Sequence, residues 1–120
     1  MYKISKQFSF SASHILEGLP LGHPCSRLHG HNYVITVHLQ AKQLNNVGFI
    51  KDYRELDSVK QYIDNTLDHR HLNDILAFNP TAENMAKYLY DIFKKDIPEL
   101  YAVEVSETPK TTAIYEADSE

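Results

Sequence analysis

Cys25-Ser26-Arg27-Leu28-His29-Gly30-His31 places a thiol, a guanidinium and two imidazoles within one short run. The residues that follow are apolar at every second position: Tyr33, Ile35, Val37 and Leu39. That period belongs to a strand with one buried face, predicted here from about His31 to Lys42. Successive strand side chains point to opposite faces. His29 and His31 therefore share a face, about 7 Å apart at twice the usual strand rise. Gly30 between them carries no side chain to crowd a ligand. Two imidazoles so spaced can share a tetrahedral zinc with ligand bonds of about 2.0–2.1 Å. They are equally compatible with two ordinary histidines at a strand mouth, and a third ligand separates the two readings. His38 has the opposite parity and faces away.

Upstream, Glu17 to Pro24 contains Gly18, Pro20, Gly22 and Pro24, a loop composition that delivers Cys25 to the strand mouth. His23 lies in this loop and is a poor candidate for a fixed ligand. Before the loop, Phe8, Phe10, Ala12 and His14 alternate with Ser9, Ser11 and Ser13. This predicts a strand over Lys6–His14 whose apolar stripe ends in an imidazole. His14 is either a core histidine with a satisfied hydrogen bond or a further ligand.

Downstream, Asn45-Asn46-Val47-Gly48 is turn chemistry. Asp52 with Glu55 reads as a capping-box-like pair. Leu56, Val59, Ile63 and Leu67 recur at helical spacing, predicting an amphipathic helix over Tyr53–Thr66. Asp68, His69 and His71 follow at the helix exit, as an acid–base cluster or a solvated loop. A second helix starts at Asn79-Pro80-Thr81-Ala82-Glu83, with Pro80 in its first turn and Thr81 as cap. Its apolar stripe is Ala82, Met85, Ala86, Leu89, Ile92 and Phe93. Tyr101, Val103 and Val105 alternate, turn at Thr108–Thr111, and return through Thr112, Ile114 and Tyr115. Glu107 falls at that turn, exposed or as a carboxylate anchor for paired N–H donors. Ala117 to Glu120 reads as a frayed tail.

The predicted order is ββααββ. This is an α+β fold: a four-stranded antiparallel sheet with two helices on one face. Unpaired outer strands favour assembly with other copies. No repeat or linker interrupts residues 1–120, so a single domain is expected.

Composition narrows the function. Of 120 residues, 42% are hydrophobic and 23% charged, with a net charge of −4, ordinary for a globular protein and unlike an electrostatic nucleic-acid binder. One cysteine excludes an internal disulfide. No run is apolar enough to span a membrane, and a cytoplasmic protein is expected.

Several blocks occur together and in order: Phe8-Ser9-Phe10-Ser11-Ala12-Ser13-His14, Cys25 through Tyr33, Asp52-Tyr53-Arg54-Glu55-Leu56, Leu67-Asp68-His69, Leu72-Asn73, Asn79-Pro80-Thr81-Ala82-Glu83 and Glu107-Thr108. Jointly they resemble the 6-pyruvoyl-tetrahydropterin synthase family, with its tunnelling fold. The resemblance implies that His14, His29 and His31 bind zinc (Zn2+) and leave a fourth position for substrate. It implies Cys25 as general base, Asp68 and His69 as a partner acid–base pair, and Glu107 as the carboxylate that holds the pterin ring. Only three residues separate Cys25 from His29, which resembles the bacterial queuosine-pathway branch. The implied reaction converts 7,8-dihydroneopterin triphosphate to 6-carboxytetrahydropterin, acetaldehyde and triphosphate. A pyruvoyl-type synthase, a side-chain aldolase and a non-catalytic zinc or pterin-binding module are the alternatives. Arg27 and Lys51 are candidates for holding the triphosphate. The resemblance also implies trimers stacked into hexamers that form a barrel, with sites at subunit interfaces.

Overall fold

The structure is a computed structural model and describes residues 1–118. Five strands form one sheet: β1 (Tyr2–His14), β2 (His29–Ala41), β3 (Arg70–His71), β4 (Leu100–Thr108) and β5 (Thr111–Glu116). Their spatial order is β3-β1-β2-β4-β5. All pairings are antiparallel except β1 with β3, which is parallel. The sheet therefore has one strand more than the alternation predicts. β3 is two residues long and too short to show any period. Ala117 donates its N–H to the Tyr101 carbonyl at 3.3 Å. The predicted tail thus begins pinned, and its positions 119–120 lie outside the described residues.

The main ladder joins β1 to β2 without interruption, from Tyr2 opposite Ala41 to His14 opposite His29. Both strands present an alternating face. Tyr33, Ile35, Val37 and Leu39 are fully buried, as are Val103 and Val105 of β4. Against that face pack α1 (Asp57–Tyr62) and α2 (Ala82–Lys94). α2 contributes Met85, Ala86, Leu89 and Phe93, and the first helical segment contributes Leu56, Val59, Ile63 and Leu67. Each large aliphatic side chain so buried stabilises the fold by about 1.5–3 kcal/mol relative to exposure.

The helix predicted over 53–66 has three parts. A tight turn spans Tyr53–Leu56, capped by Asp52, whose carboxylate accepts from the Arg54 N–H at 2.9 Å. α1 follows, and the last turn, Ile63–Leu67, is wide, with the Asp68 N–H donating to the Ile63 carbonyl. Such a wide turn adds a residue without losing the buried stripe. It brings Asp68 to the end of β1. In α2, Thr81 is the cap, accepting from the Asn84 N–H at 3.1 Å. Pro80 thus precedes the helix instead of opening it, and its carbonyl turns toward the site. No helix among the described residues is long and apolar enough to cross a membrane.

Candidate metal centre and adjoining clefts

The β1–β2 register sets His14 directly opposite His29, and Ala12 opposite His31. All three imidazoles emerge on one face, and their ligand nitrogens lie within 4.8 Å of one another. The rings stand nearly perpendicular, with centroids 4.5, 5.0 and 4.8 Å apart. Tyr33, the next residue on that face, lies beneath them, its hydroxyl 2.9 Å from His14 Nδ1.

The hydrogen bonds around the rings determine which nitrogens carry protons. His14 Nδ1 is 3.0 Å from the Pro80 carbonyl, and His29 Nδ1 is 2.6 Å from the Arg27 carbonyl. A carbonyl only accepts, so both Nδ1 atoms donate. In the neutral rings both Nε2 atoms then carry lone pairs, yet they face each other at 2.9 Å. Two acceptors cannot satisfy one another, whereas a cation accepts from both. The His31 Nε2 is buried without a hydrogen-bond partner. Burial, then the neighbouring His29 imidazole, lowers His31, and burial lowers His14 to about 4 against the opposing pull of the Pro80 carbonyl. Both rings are held neutral at pH 7, the form that ligates metal. The donor set, the tied Nδ1 atoms and the orphaned nitrogen all fit a tetrahedral ion with one remaining position.

Glu107 stands beside this cluster, its Oε2 3.6 Å from His31 Nε2. It is a residue of β4, and its side chain is only 21% exposed. The exposed alternative for Glu107 is therefore corrected, while the turn itself falls at 108–111 as its sequence predicts. Burial raises the Glu107 pKa, an effect that the nearby His29 offsets and Glu83 reinforces.

Asp68 and His69 form a pair 2.9 Å apart at His69 Nδ1. Asp68 also accepts the Ser11 N–H at 3.0 Å, and the His69 N–H donates to the Ser11 carbonyl at 2.6 Å. The Ser11 N–H, then His69, holds the Asp68 carboxyl below the usual range. His69 has φ of +58°, uncommon for a residue with a side chain. This turn leaves its ring 81% exposed, at the mouth of a cleft of about 420 Å³ that His31 also lines.

Cys25 lies in a single tight turn, Pro24–Ser26. Its N–H donates to His23 Nδ1 at 3.0 Å, and its carbonyl accepts from the Leu16 N–H at 3.1 Å. The thiol is half-buried and is not among the groups lining the His31 clefts. One chain thus brings together His14, His29, His31 and Glu107, with His69 on a cleft that His31 shares, while Cys25 lines neither His31 cleft.

The structure also shows supports that the sequence does not reveal. The Asn73 amide both donates to and accepts from the backbone of Ile15, each at 2.8 Å. Asn79 does the same for Glu17, at 2.9 and 3.0 Å. These two amides act as substitute strand partners and fix the chain leaving His14. His71, grouped with Asp68 and His69 in the sequence but given no role by the family resemblance, contacts the Ser13 hydroxyl at 3.0 Å through Nδ1. Lys51 is engaged by carboxylates. It pairs with Glu99 at 3.2 Å and Glu55 at 3.6 Å, near the far end of β2, where Gln40 bonds Glu99. His38 faces away as its parity requires, 3.4 Å from Glu104.

Known proteins match along almost the whole chain. The family model described as 6-pyruvoyl tetrahydropterin synthase matches residues 3–118. The 6-carboxy-5,6,7,8-tetrahydropterin synthase of Synechocystis is 34% identical, covering 96% of this chain and 93% of its own. The human 6-pyruvoyl tetrahydrobiopterin synthase is also 34% identical, covering 97% and 92%. The structure of the Caenorhabditis elegans 6-pyruvoyl tetrahydropterin synthase superposes with a TM-score of 0.85 at 30% identity, covering 98% and 96%. With the order of blocks, the fold and the three-histidine cluster in agreement, this chain belongs to the 6-pyruvoyl tetrahydropterin synthase family.

Proposed function

We propose that this protein is a zinc-dependent carbon–carbon lyase of the queuosine pathway. It converts 7,8-dihydroneopterin triphosphate and one water to 6-carboxy-5,6,7,8-tetrahydropterin, acetaldehyde and triphosphate. The observation that carries the reading is the cluster of His14, His29 and His31, with two Nε2 lone pairs facing at 2.9 Å and a third nitrogen orphaned. When bound, zinc polarises hydroxyl oxygens of the substrate side chain and eases loss of a neighbouring C–H proton. Glu107 binds the amino and ring N–H donors of the pterin, and its partial burial strengthens those bonds. Cys25 removes a proton from the side chain. His69, oriented by Asp68, returns or accepts one across the cleft. Cys25 lines neither of the His31 clefts, which supports sites completed by a neighbouring copy. The outer strands β3 and β5 are the open edges through which such copies pair into a homo-oligomeric barrel of trimers or hexamers. The protein works as a single domain in the cytoplasm, without nucleic-acid or membrane partners.

The spacing of Cys25 and His29 favours the 6-carboxy product. The equal identity to the human enzyme supports a second reading, formation of the 6-pyruvoyl product. Incubation with 7,8-dihydroneopterin triphosphate decides between them. Acetaldehyde release supports the first, and a retained three-carbon side chain supports the second. Metal and pterin binding without turnover indicates a binding module.

Glu107→Ala separates the pterin anchor from the metal. Pterin affinity should fall roughly tenfold to a hundredfold, the worth of a charge-assisted bond pair, with metal content unchanged. Unaltered pterin affinity removes the anchor assignment.

A further inference from the structure

The imidazole hydrogen bonds of His14 and His29 differ in reach. His29 Nδ1 bonds the Arg27 carbonyl, two residues earlier, so the chain that carries the ring also orients it. His14 Nδ1 bonds the Pro80 carbonyl, 66 residues away. The orientation of this ligand therefore depends on how residues 79–81 sit against the end of β1. Asn79 joins the two segments. Its side-chain amide accepts from the Glu17 N–H at 2.9 Å and donates to the Glu17 carbonyl at 3.0 Å. Its own carbonyl accepts from the Thr81 N–H at 2.8 Å and from the Asn84 side-chain amide at 2.9 Å. The Thr81 bond closes a three-residue turn on Pro80, whose ring fixes φ. A closed circuit thus runs from His14 along the chain to Glu17, across to Asn79, through Pro80 and back to His14.

A second group reaches the same nitrogen. The Tyr33 hydroxyl lies 2.9 Å from His14 Nδ1 and can donate as well as accept. The two neighbours call for opposite tautomers. The carbonyl requires Nδ1–H and leaves the lone pair on Nε2. A donating hydroxyl requires the lone pair on Nδ1 and moves the proton to Nε2, which faces His29 Nε2 at 2.9 Å. That alternative also satisfies the His29 lone pair, so in the metal-free chain the Pro80 carbonyl is what opposes it. Only the Nδ1–H form ligates through Nε2. From this competition we propose that Asn79 is a positioning residue of the metal centre. By tying the segment that bears the Pro80 carbonyl to Glu17, it keeps the His14 proton on Nδ1 and the Nε2 lone pair available. This role rests on the metal centre assigned to His14, His29 and His31, and Asn79 acts through Pro80, not as a ligand.

Zinc is the probe, with its affinity for the full chain measured by competition with a chromophoric chelator. Asn79→Ala should weaken binding about tenfold to a hundredfold, the effect of losing a group that orients a ligand. Nitrogen chemical shifts of the imidazoles in the metal-free chain should show His14 moving from the Nδ1–H to the Nε2–H form. The double variant Asn79→Ala/Tyr33→Phe also removes the competing donor. It should bind zinc at least about threefold more tightly than Asn79→Ala, a recovery that simple loss of packing does not produce. Asn73→Ala breaks the matching clamp on Ile15, a clamp that carries no carbonyl to His14. It should lower thermal stability comparably and keep the Nδ1–H form. If Asn79→Ala does not fold, Asn79→Asp carries the same comparison, because it keeps the acceptor for the Glu17 N–H and loses only the donor. Unchanged zinc affinity and tautomer in the Asn79 variant, the same tautomer change in Asn73→Ala, or no recovery in the double variant overturns the role of Asn79. With zinc bound by the unsubstituted chain, those results leave the metal centre standing. No zinc binding by the unsubstituted chain removes both.

Discussion

Metal content per chain should collapse when His29 is replaced by alanine, and turnover should disappear with it. His29 supplies one of three nitrogens, and its Nδ1 is already committed to the Arg27 carbonyl at 2.6 Å. The ring is thereby aimed, with Nε2 toward the shared point. Loss of a partner that merely orients a ligand lowers metal affinity about 10–100-fold. Loss of the ligand itself exceeds that, because two imidazoles cannot complete a tetrahedral site. The fold should survive, since His29 opens β2 and the buried stripe begins at Tyr33. Elemental analysis after gel filtration, with circular dichroism for the fold, checks this. His38→Ala is the matched control: an imidazole on the same strand with opposite parity, paired to Glu104. It should retain metal. Normal metal content in His29→Ala removes the proposed centre.

Cys25→Ala should keep both fold and metal and lose turnover by about 10²–10⁴-fold, the usual contribution of a positioned proton-transfer group. The tight turn around Cys25 depends on backbone groups and on His23, because the Cys25 N–H and carbonyl make its hydrogen bonds. An alanine keeps both. The side chain contributes only the thiol, so the effect isolates chemistry from structure. Single-turnover measurement with the metal-loaded variant checks it, and full activity contradicts the base role. Mixing Cys25→Ala with His69→Ala chains extends the test. Partial recovery of activity in mixed oligomers follows if one site draws these residues from different copies, and its absence assigns both to one chain.

How much could be read in advance depended on the range of each interaction. The shared face of His29 and His31 follows from strand period alone, as does the outward direction of His38. The buried stripes of both helical regions are equally local. The wide turn at Ile63–Leu67 was hidden, because it preserves the apolar spacing while shifting where Asp68 emerges. Glu107 could be read as exposed because it adjoins the turn at Thr108-Pro109-Lys110. Its burial comes from packing against residues remote in the chain. Lys51 seemed available until Glu99, distant in sequence, engaged it.

From the sequence by itself come the parity of each strand, the apolar faces of the helices and the family to which the blocks point. Tertiary structure decided that His14 stands opposite His29, that a two-residue strand pairs alongside Ala12 and Ser13, and that Asn73 and Asn79 brace the chain beyond His14. The physical reason is that side-chain direction along a strand repeats every two residues and needs no partner to define it. Register between strands, and any bond formed across tens of residues, exists only after the core has chosen one packing among many.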